Sequence, residues 1–179
     1  MSDAGMGASG QGVAAPEAVA PAGGLSPVAL VELLFFAYRD FIGEPDRILV
    51  RYGFGRAHHR VLHFVNRNPG LTVAELLGIL DITKQSLARV LRDLVSQGFI
   101  EQRAGDEDRR QRLMFLTAGG RALADELLAL QAARVGRALD GAGAMEQQAI
   151  KSFLVGLLDL GQGSNVARLT RLPLELGKD

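Results

Sequence analysis

The sequence contains no cysteine and no tryptophan, and its 20 acidic residues balance its 20 basic residues. The absence of cysteine excludes a disulfide framework, a thiolate zinc site, an iron–sulfur cluster, a catalytic cysteine and a thiol redox switch. The zero net charge argues against a protein that binds polyanions over its whole surface. With 179 residues, the chain is still long enough to bury a hydrophobic core without cross-links.

The sequence also lacks a hydrophobic run long enough to cross a membrane. Its longest strongly apolar stretch, residues 28–38, is interrupted by Glu32 and is much shorter than the roughly 18 to 20 residues of a spanning helix. Asp3 stands where a signal peptide would carry a basic residue, and no apolar segment follows it. We therefore expect a cytoplasmic protein.

The charges are unevenly distributed along the chain. Between Arg51 and Arg112 there are eleven basic and seven acidic residues, so this segment carries a net charge of +4. The remainder of the chain has nine basic and thirteen acidic residues and carries −4. A basic centre between acidic flanks indicates a module that faces a polyanion, although arginine-rich surfaces are also common in other proteins.

Composition and periodicity predict an arm followed by a helix. Residues 1–25 are rich in glycine, alanine and proline, and we expect them to be disordered. A helix is predicted from Pro27 to Gly43, where Pro45 ends or kinks it, with a short helical extension over residues 46–52. Apolar residues recur every three or four positions on one face of this helix: Val31, Leu34, Phe35, Tyr38, Phe41 and Ile42.

A helix-turn-helix unit is predicted in the middle of the chain. A helix over residues 56–68 precedes it. Thr72 and Glu75 form a capping box for the first short helix of the unit. After a tight link, Thr83 caps the second helix, which ends near Gly98. The apolar residues expected to face inward from this second helix are Leu87, Val90, Leu91, Leu94 and Val95.

The periodicity then changes from that of a helix to that of a strand. It predicts a hairpin made of a strand over residues 99–103, a polar loop over residues 104–110 and a returning strand over residues 111–117. A long helix over residues 118–139 and a last helix over residues 145–160 follow. The last helix is expected to face inward with Ile150, Phe153, Leu154, Leu157 and Leu158. The fold class predicted is mainly α with a small β-hairpin wing, a winged helix-turn-helix with dimerisation helices at both ends.

Several runs in this region resemble the MarR family of bacterial transcription regulators. They are residues 82–91, residues 94–100, Asp108-Arg109-Arg110 and residues 116–120. The resemblance covers about Val28 to Leu160, and its most specific part is Asp-Arg-Arg followed at a fixed distance by Leu-Thr-x-x-Gly. The run from Gly53 to Phe64 is similar to the PetP-type branch of the family.

Combined with this resemblance, the element order divides the chain into five expected segments. They are a disordered arm (1–25), an N-terminal dimerisation helix (26–55), a winged helix-turn-helix DNA-binding domain (56–117), C-terminal dimerisation helices (118–161) and a tail (162–179).

The second helix of the unit begins with residues suited to a DNA major groove. Lys84 can contact phosphate, while Gln85 and Arg89 can offer hydrogen-bond donors to base edges. An ordinary solvated helix face is the alternative interpretation. The predicted DNA contacts of this helix are Thr83, Lys84, Gln85, Ser86, Arg89 and Arg92.

The loop of the hairpin mixes acidic and basic residues. They are Asp106, Glu107, Asp108, Arg109, Arg110 and Arg112. The resemblance implies that Arg110 enters a minor groove and that Asp108 holds its guanidinium in place. Arginine suits a narrow groove because its head group is planar and weakly hydrated. The alternative is a solvated charged loop with weak surface ion pairs. We expect Asp108, Arg109, Arg110 and Arg112 to belong to the DNA-binding site.

All three histidines lie in the helix over residues 56–68. His59 and His63 are four residues apart and face the same way. Because Arg60 stands where a zinc hydrolase would carry glutamate, and no third ligand is evident, that chemistry is absent. A role of His58, His59 and His63 in binding metal or haem, in ligand binding or pH sensing, or in packing remains open. We expect no resident metal or cofactor.

The resemblance implies an effector pocket between the first two helices and the long helix after the wing. Its candidate residues are Phe35, Phe36, Tyr38, Arg39, His59 and His63. Arg39 can pair with an anionic aromatic compound while the rings supply apolar contacts. Each of these residues can equally belong to a core or an interface.

The sequence thus predicts a homodimeric, sequence-specific DNA-binding regulator. Its terminal helices carry more apolar surface than one lobe covers, which favours pairing across a two-fold axis and a palindromic operator. The resemblance implies a repressor modulated by a small aromatic or anionic effector. An enzyme is not expected, because no nucleophile–base pair, carboxylate pair or glycine-rich phosphate loop is present. A winged-helix protein-interaction module without DNA binding is the alternative.

Overall fold

The computed structural model describes residues 24–105, 108–159 and 163–170. The expected arm lies outside these residues except for its last two positions, and Asp106 and Glu107 of the wing loop also lie outside them. The described chain divides after Asp40 into two units. A search of the described residues finds no helix that is both long and apolar enough to span a membrane.

The described elements follow the predicted order closely. They are helix α1 (Pro27–Leu49), a 3-10 turn (Val50–Tyr52), α2 (Arg56–Arg67), strand β1 (Leu71–Thr72), α3 (Val73–Leu80), α4 (Lys84–Ser96), β2 (Ile100–Ala104), β3 (Arg112–Leu116), α5 (Ala118–Leu139), α6 (Ala144–Gly156) and α7 (Gly163–Thr170). The predicted fold class, mainly helical with a small β wing, is confirmed.

The sheet is antiparallel and has the strand order β1-β3-β2. Leu71 of β1 pairs with Met114, and Ile100 of β2 pairs with Leu116. The hairpin of β2 and β3 was predicted, whereas β1 was not. A strand of two residues shows no alternation in the sequence, and Thr72 already carried the signal of a helix cap.

The core lies where α2 packs against α4, α5 and β3. Leu62 of α2, Leu87 and Leu94 of α4, Met114 of β3 and Leu127 of α5 are completely buried. The prediction for α4 holds for four of its five apolar positions, but Val95 is 39% exposed. Val95 follows Leu94 in a helix, so it is turned by about 100° from the buried stripe.

The first helix is longer than the sequence predicted. It continues through Pro45 to Leu49, so of the two predicted effects of Pro45, an end or a kink, the end is wrong. A proline inside a helix forgoes one backbone hydrogen bond. Here Ile42, Pro45 and Leu49 are all buried, and their apolar contact offsets that loss.

The apolar faces predicted for α1 and α6 are largely exposed. Phe35 of α1 is 70% exposed, and Leu154 of α6 is 52% exposed. Ile150 and Phe153 of α6, and Leu157 immediately after it, are exposed as well, so their predicted inward orientation is wrong for the single chain. Periodicity identifies an apolar face but does not say whether the same chain or another molecule covers it.

The C-terminal region departs from the sequence prediction in two further places. The last predicted helix ends at Gly156 rather than at Leu160, which lies outside the described residues. A short additional helix, α7, occupies part of the segment that was assigned only as a tail. The long helix agrees with its prediction, because Thr117 caps α5 by accepting a hydrogen bond from the Gly120 amide at 3.0 Å.

Candidate nucleic-acid interface

The start of α4 is held by its own first residues. The Thr83 hydroxyl oxygen accepts a hydrogen bond from the Ser86 amide at 3.1 Å and donates one to the Ser86 hydroxyl at 2.8 Å. These contacts satisfy one amide that a helix start otherwise leaves without a partner. Lys84 and Gln85, between the two, are exposed. The first turn of α4 therefore presents a fixed backbone and two solvent-facing polar side chains.

One face of α4 is polar and lies opposite its buried face. Gln85, Arg89 and Arg92 follow one another at spacings of four and three residues, so they project from the same side of the helix. All three are exposed, whereas Leu87 and Leu94 on the opposite side are buried. The helix therefore presents two arginine side chains and one glutamine side chain to solvent, while its opposite side packs in the core.

The described residues of the wing loop are joined by hydrogen bonds, and residues 108–111 form a turn. The Gly105 amide donates to the Gln111 carbonyl at 3.1 Å, and the Gln111 amide donates to the Asp108 carbonyl at 3.0 Å. The Asp108 carboxylate accepts a hydrogen bond from the Arg110 backbone amide at 2.9 Å. This contact ties Asp108 to the backbone of Arg110, and the guanidinium contact that the resemblance implies stays a prediction. Arg109 and Arg110 are exposed at the tip.

Arg103 is a wing residue that the sequence interpretation did not single out. Its guanidinium lies 4.5 Å from the centre of the Phe115 ring and pairs with Glu101. The register Arg103–Leu113 and Glu101–Phe115 places these side chains on one face of the hairpin. Strand alternation places Arg112 on the other face, with the buried Met114.

An open groove of about 500 Å³ separates α4 from the wing. It is lined by Val73, Lys84, Ala88, Leu91, Arg92, Val95, Ser96, Gln102 and Arg112. Three of these side chains are cations and none is acidic, while most of the remainder are apolar. The structure thus brings Lys84, Arg92 and Arg112 together around an apolar floor. No sequence pattern indicates this groove, because the groove depends on the packing of two elements.

The surroundings of the histidine pair of α2 favour the neutral form of both rings. Burial lowers the pKa of His59, as does the nearby His63, while Asp46 acts in the opposite direction. Burial also lowers the pKa of His63, and Arg67 adds to that effect. Within the described residues, no group of three histidine, cysteine or acidic side chains is arranged to hold a metal ion.

The residues proposed for an effector pocket are divided between the two units. Phe35, Phe36 and Tyr38 are exposed on α1, and the Arg39 guanidinium lies 5.0 Å from the centre of the Phe36 ring. Arg39 also pairs with Asp40 at 2.9 Å. His59 and His63 belong to the other unit, and none of the six residues lines the groove beside α4. This site stays a prediction.

Comparison with known proteins agrees with these observations. The sequence profile of the MarR family matches residues 52–111. The chain is 46% identical over 129 residues to the HTH-type transcriptional regulator PetP of Rhodobacter capsulatus. The aligned region covers 72% of this chain and 78% of that relative.

Two solved structures show the same fold. The chain matches a MarR transcriptional regulator from Methanosarcina mazei Go1 with a TM-score of 0.61 and 20% identity, over 81% of this chain and 96% of that one. It matches Streptococcus pneumoniae FabT in complex with DNA with a TM-score of 0.61 and 20% identity, over 73% of this chain and 93% of that one.

Proposed function

Because the chain belongs to the MarR family, and is thus a DNA-binding winged-helix transcriptional regulator rather than an enzyme, we propose that it binds a palindromic operator as a homodimer and represses transcription. In this proposal α4 reads the major groove and Arg110 of the wing reads the minor groove. The additional residues of the DNA-binding site are those predicted from the sequence: Thr83, Lys84, Gln85, Ser86, Arg89, Arg92, Asp108, Arg109 and Arg112.

The observation that carries this proposal is the outer face of α4. Gln85 and Arg89 are exposed on a helix whose opposite side is locked into the core. Glutamine and arginine pair with adenine and guanine edges, respectively, when presented in a major groove. The Thr83–Ser86 contacts fix the helix start, whose amides and dipole favour a phosphate.

The backbone of the wing turn supports a role for Arg110. By accepting from the Arg110 amide, Asp108 fixes the backbone from which the exposed Arg110 side chain extends. A fixed backbone lowers the entropy lost when a long side chain enters a narrow groove. Asp108 therefore acts on the turn rather than as a contact to DNA.

The exposed apolar faces support the homodimer. Phe35 and Phe36 of α1, and Phe153 and Leu154 of α6, would each lose solvent exposure against a second copy. Large apolar side chains that recur on an exposed helix face are typical of an interface in soluble proteins. A closed dimer has a two-fold axis, so its two copies of α4 read the same sequence in opposite directions. A palindromic operator follows, and a dimer bound over a promoter would block access of the polymerase.

The groove beside α4 supports modulation by a small anionic ligand. An amphipathic anion would place its apolar part on Val73, Leu91 and Val95 and its charge near Arg92 and Arg112. Such a ligand would compete with DNA, because it would bind to Arg92 and Arg112, which also belong to the proposed DNA-binding site. The six residues predicted from the sequence, which include Arg39, remain the second candidate for binding it. Binding of phenolic acids to the DNA-free protein, abolished by Arg92→Ala but not by Arg39→Ala, would favour the groove.

The proposed function is tested by measuring DNA binding against salt concentration. A library of DNA fragments from around the gene is screened first, and the bound duplex is titrated at about 50 and 200 mM salt. We expect binding to weaken with salt because cationic side chains release counterions from phosphates. Arg89→Ala and Arg110→Ala should each weaken specific binding about tenfold or more.

The matched control is Arg137→Ala, which removes the same charge from the far end of α5 and should leave binding unchanged. Absence of DNA binding at low salt, with and without candidate ligands, would contradict the proposal. It would favour a winged-helix module that binds proteins.

A further inference from the structure

Two polar side chains of α2 reach the two helices of the helix-turn-helix. His58 Nε2 lies 3.3 Å from Asp93 Oδ2 on α4. The Arg60 guanidinium donates a hydrogen bond to the Leu80 carbonyl, the last residue of α3, at 2.9 Å. One turn of α2 is therefore bonded to both helices, and neither side chain belongs to the DNA-facing set.

The orientation of the His58 ring is determined by its contacts. Its Nδ1 accepts a hydrogen bond from the Gly55 amide at 3.1 Å. A nitrogen that accepts carries no proton, so the neutral ring holds its proton on Nε2 and donates it to the Asp93 carboxylate. The ring also stacks on Phe54, with 4.7 Å between centres and 11° between planes. The side chain is only 13% exposed.

Arg60 acts where α3 ends and the tight link begins. The last carbonyls of a helix have no partner within the helix, and the Arg60 guanidinium supplies one to Leu80. The next residue, Asp81, is in the left-handed region with φ of 49°. The bond therefore fixes the backbone immediately before this sharp change in chain direction.

Asp93 is well placed to set the rotation of α4. It follows Arg92 directly and lies one turn after Arg89. The apolar packing of Leu87 and Leu94 holds α4 against the core, but it is not directional. A hydrogen bond to a ring of fixed orientation is directional. It restricts how far α4 can turn about its axis, and so where Arg89 points.

We propose that His58, Asp93 and Arg60 are positioning residues for operator recognition: the His58–Asp93 bond sets the rotation of α4, and the Arg60–Leu80 bond sets its link to α3. These residues determine how well the DNA-facing side chains meet base edges without contacting DNA themselves. The inference rests on the proposed function, because it requires α4 to read an operator.

The test compares specific with non-specific affinity. A duplex selected from random sequence by the wild-type protein serves as operator, and a scrambled duplex of the same length is the reference. His58→Asn keeps an oxygen able to accept from the Gly55 amide, but its shorter side chain cannot reach Asp93. Asp93→Ala removes the bond from the other side, and it provides the test should His58→Asn fail to fold.

We expect His58→Asn and Asp93→Ala each to weaken operator binding about tenfold, with affinity for scrambled DNA unchanged or raised. The double variant should be no weaker than either single variant, because both remove one bond. Asp93→Asn is the matched control: it removes the same charge as Asp93→Ala but keeps an acceptor, so it should retain operator preference. Arg60→Ala should weaken operator binding about threefold, and Arg60→Lys should restore it.

Three results would overturn the positioning role while leaving the proposed function intact. They are an unchanged operator preference in His58→Asn and Asp93→Ala, an equal fall in affinity for both duplexes, and additive effects in the double variant. If the wild-type protein selects no sequence at all, the proposed function fails, and the positioning role fails with it.

Discussion

Apolar residues are buried in the winged-helix lobe, from α2 to β3, but exposed on the helical faces of α1 and α6. In the lobe, Leu62, Leu87 and Met114 are completely buried within one chain. On the two helices, Phe35 and Leu154 are more than half exposed, although they recur with equally regular helical spacing. The lobe and α5 bury a common core within one chain, whereas these faces are left exposed in the single chain.

Shortening a core residue of the lobe should have the largest effect on stability. Leu87→Ala leaves a cavity between α4 and α2, and we expect it to lower the free energy of unfolding by about 2 to 5 kcal/mol. Val95→Ala, on the same helix but partly exposed, should cost less than about 1 kcal/mol. Chemical denaturation measures both. Equal losses would show that the lobe does not form its core as described.

A charge placed on the exposed face of α1 should break the dimer and leave the lobe folded. Phe35→Glu would require a carboxylate to be buried in the proposed interface, and we expect it to weaken dimerisation at least about tenfold. Light scattering reports the mass, and circular dichroism reports the helices. Glu32→Gln, a nearby polar change on the same helix, should leave the dimer intact. A wild-type monomer would remove the basis for the homodimer and for a palindromic operator.

Removing the cap of α4 should have a smaller effect on the lobe. Thr83→Ala deletes the acceptor of the Ser86 amide, and we expect a loss of about 1 kcal/mol in unfolding free energy. Ser96→Ala removes a hydroxyl from the other end of α4, where it only donates to the Asp93 carbonyl. It should have less effect. If the two variants were equally stable, the capping contact would contribute nothing.

The histidine pair should give the lobe a modest dependence on pH. The pKa values of His59 and His63 are lowered in the folded protein, chiefly by burial, so the unfolded chain binds protons more readily. Stability is therefore complete above the ordinary histidine value of about 6.5 and falls as the pH drops below it. Thermal unfolding between about pH 7.5 and 5.5 checks this. The His59→Gln, His63→Gln double variant should lose that part of the slope, and an identical slope would contradict the account.

Sequence patterns predicted the lobe well because local signals and burial agree there. Thr72 with Glu75, and Thr83, were each identified as caps, and the structure shows the corresponding hydrogen bonds. The periodic leucines of α4 are the ones that are buried. The sequence left open whether Pro45 ends or kinks the helix, because the rule for proline is local, whereas the burial of its ring, with the helix continuing past it, depends on packing.

The parts of the site that escaped prediction depend on contacts between distant positions. The His58–Asp93 bond joins residues 35 positions apart, and Arg103 meets Phe115 across a strand pair. No spacing rule connects such residues. The DNA-facing residues from Thr83 to Arg92 were accessible to prediction because they belong to one helix, and a helix fixes which of its residues share a face.

The account is tested most directly by a hydroxyl-radical footprint of the protein on its selected operator. It predicts two protected half-sites related by two-fold symmetry, with centres about one helical turn or a multiple of it apart. Arg110→Ala should remove only the minor-groove protections that flank them. A single unsymmetrical patch, or protection that does not change with Arg89→Ala or Arg110→Ala, would contradict a dimer that reads DNA with α4 and the wing.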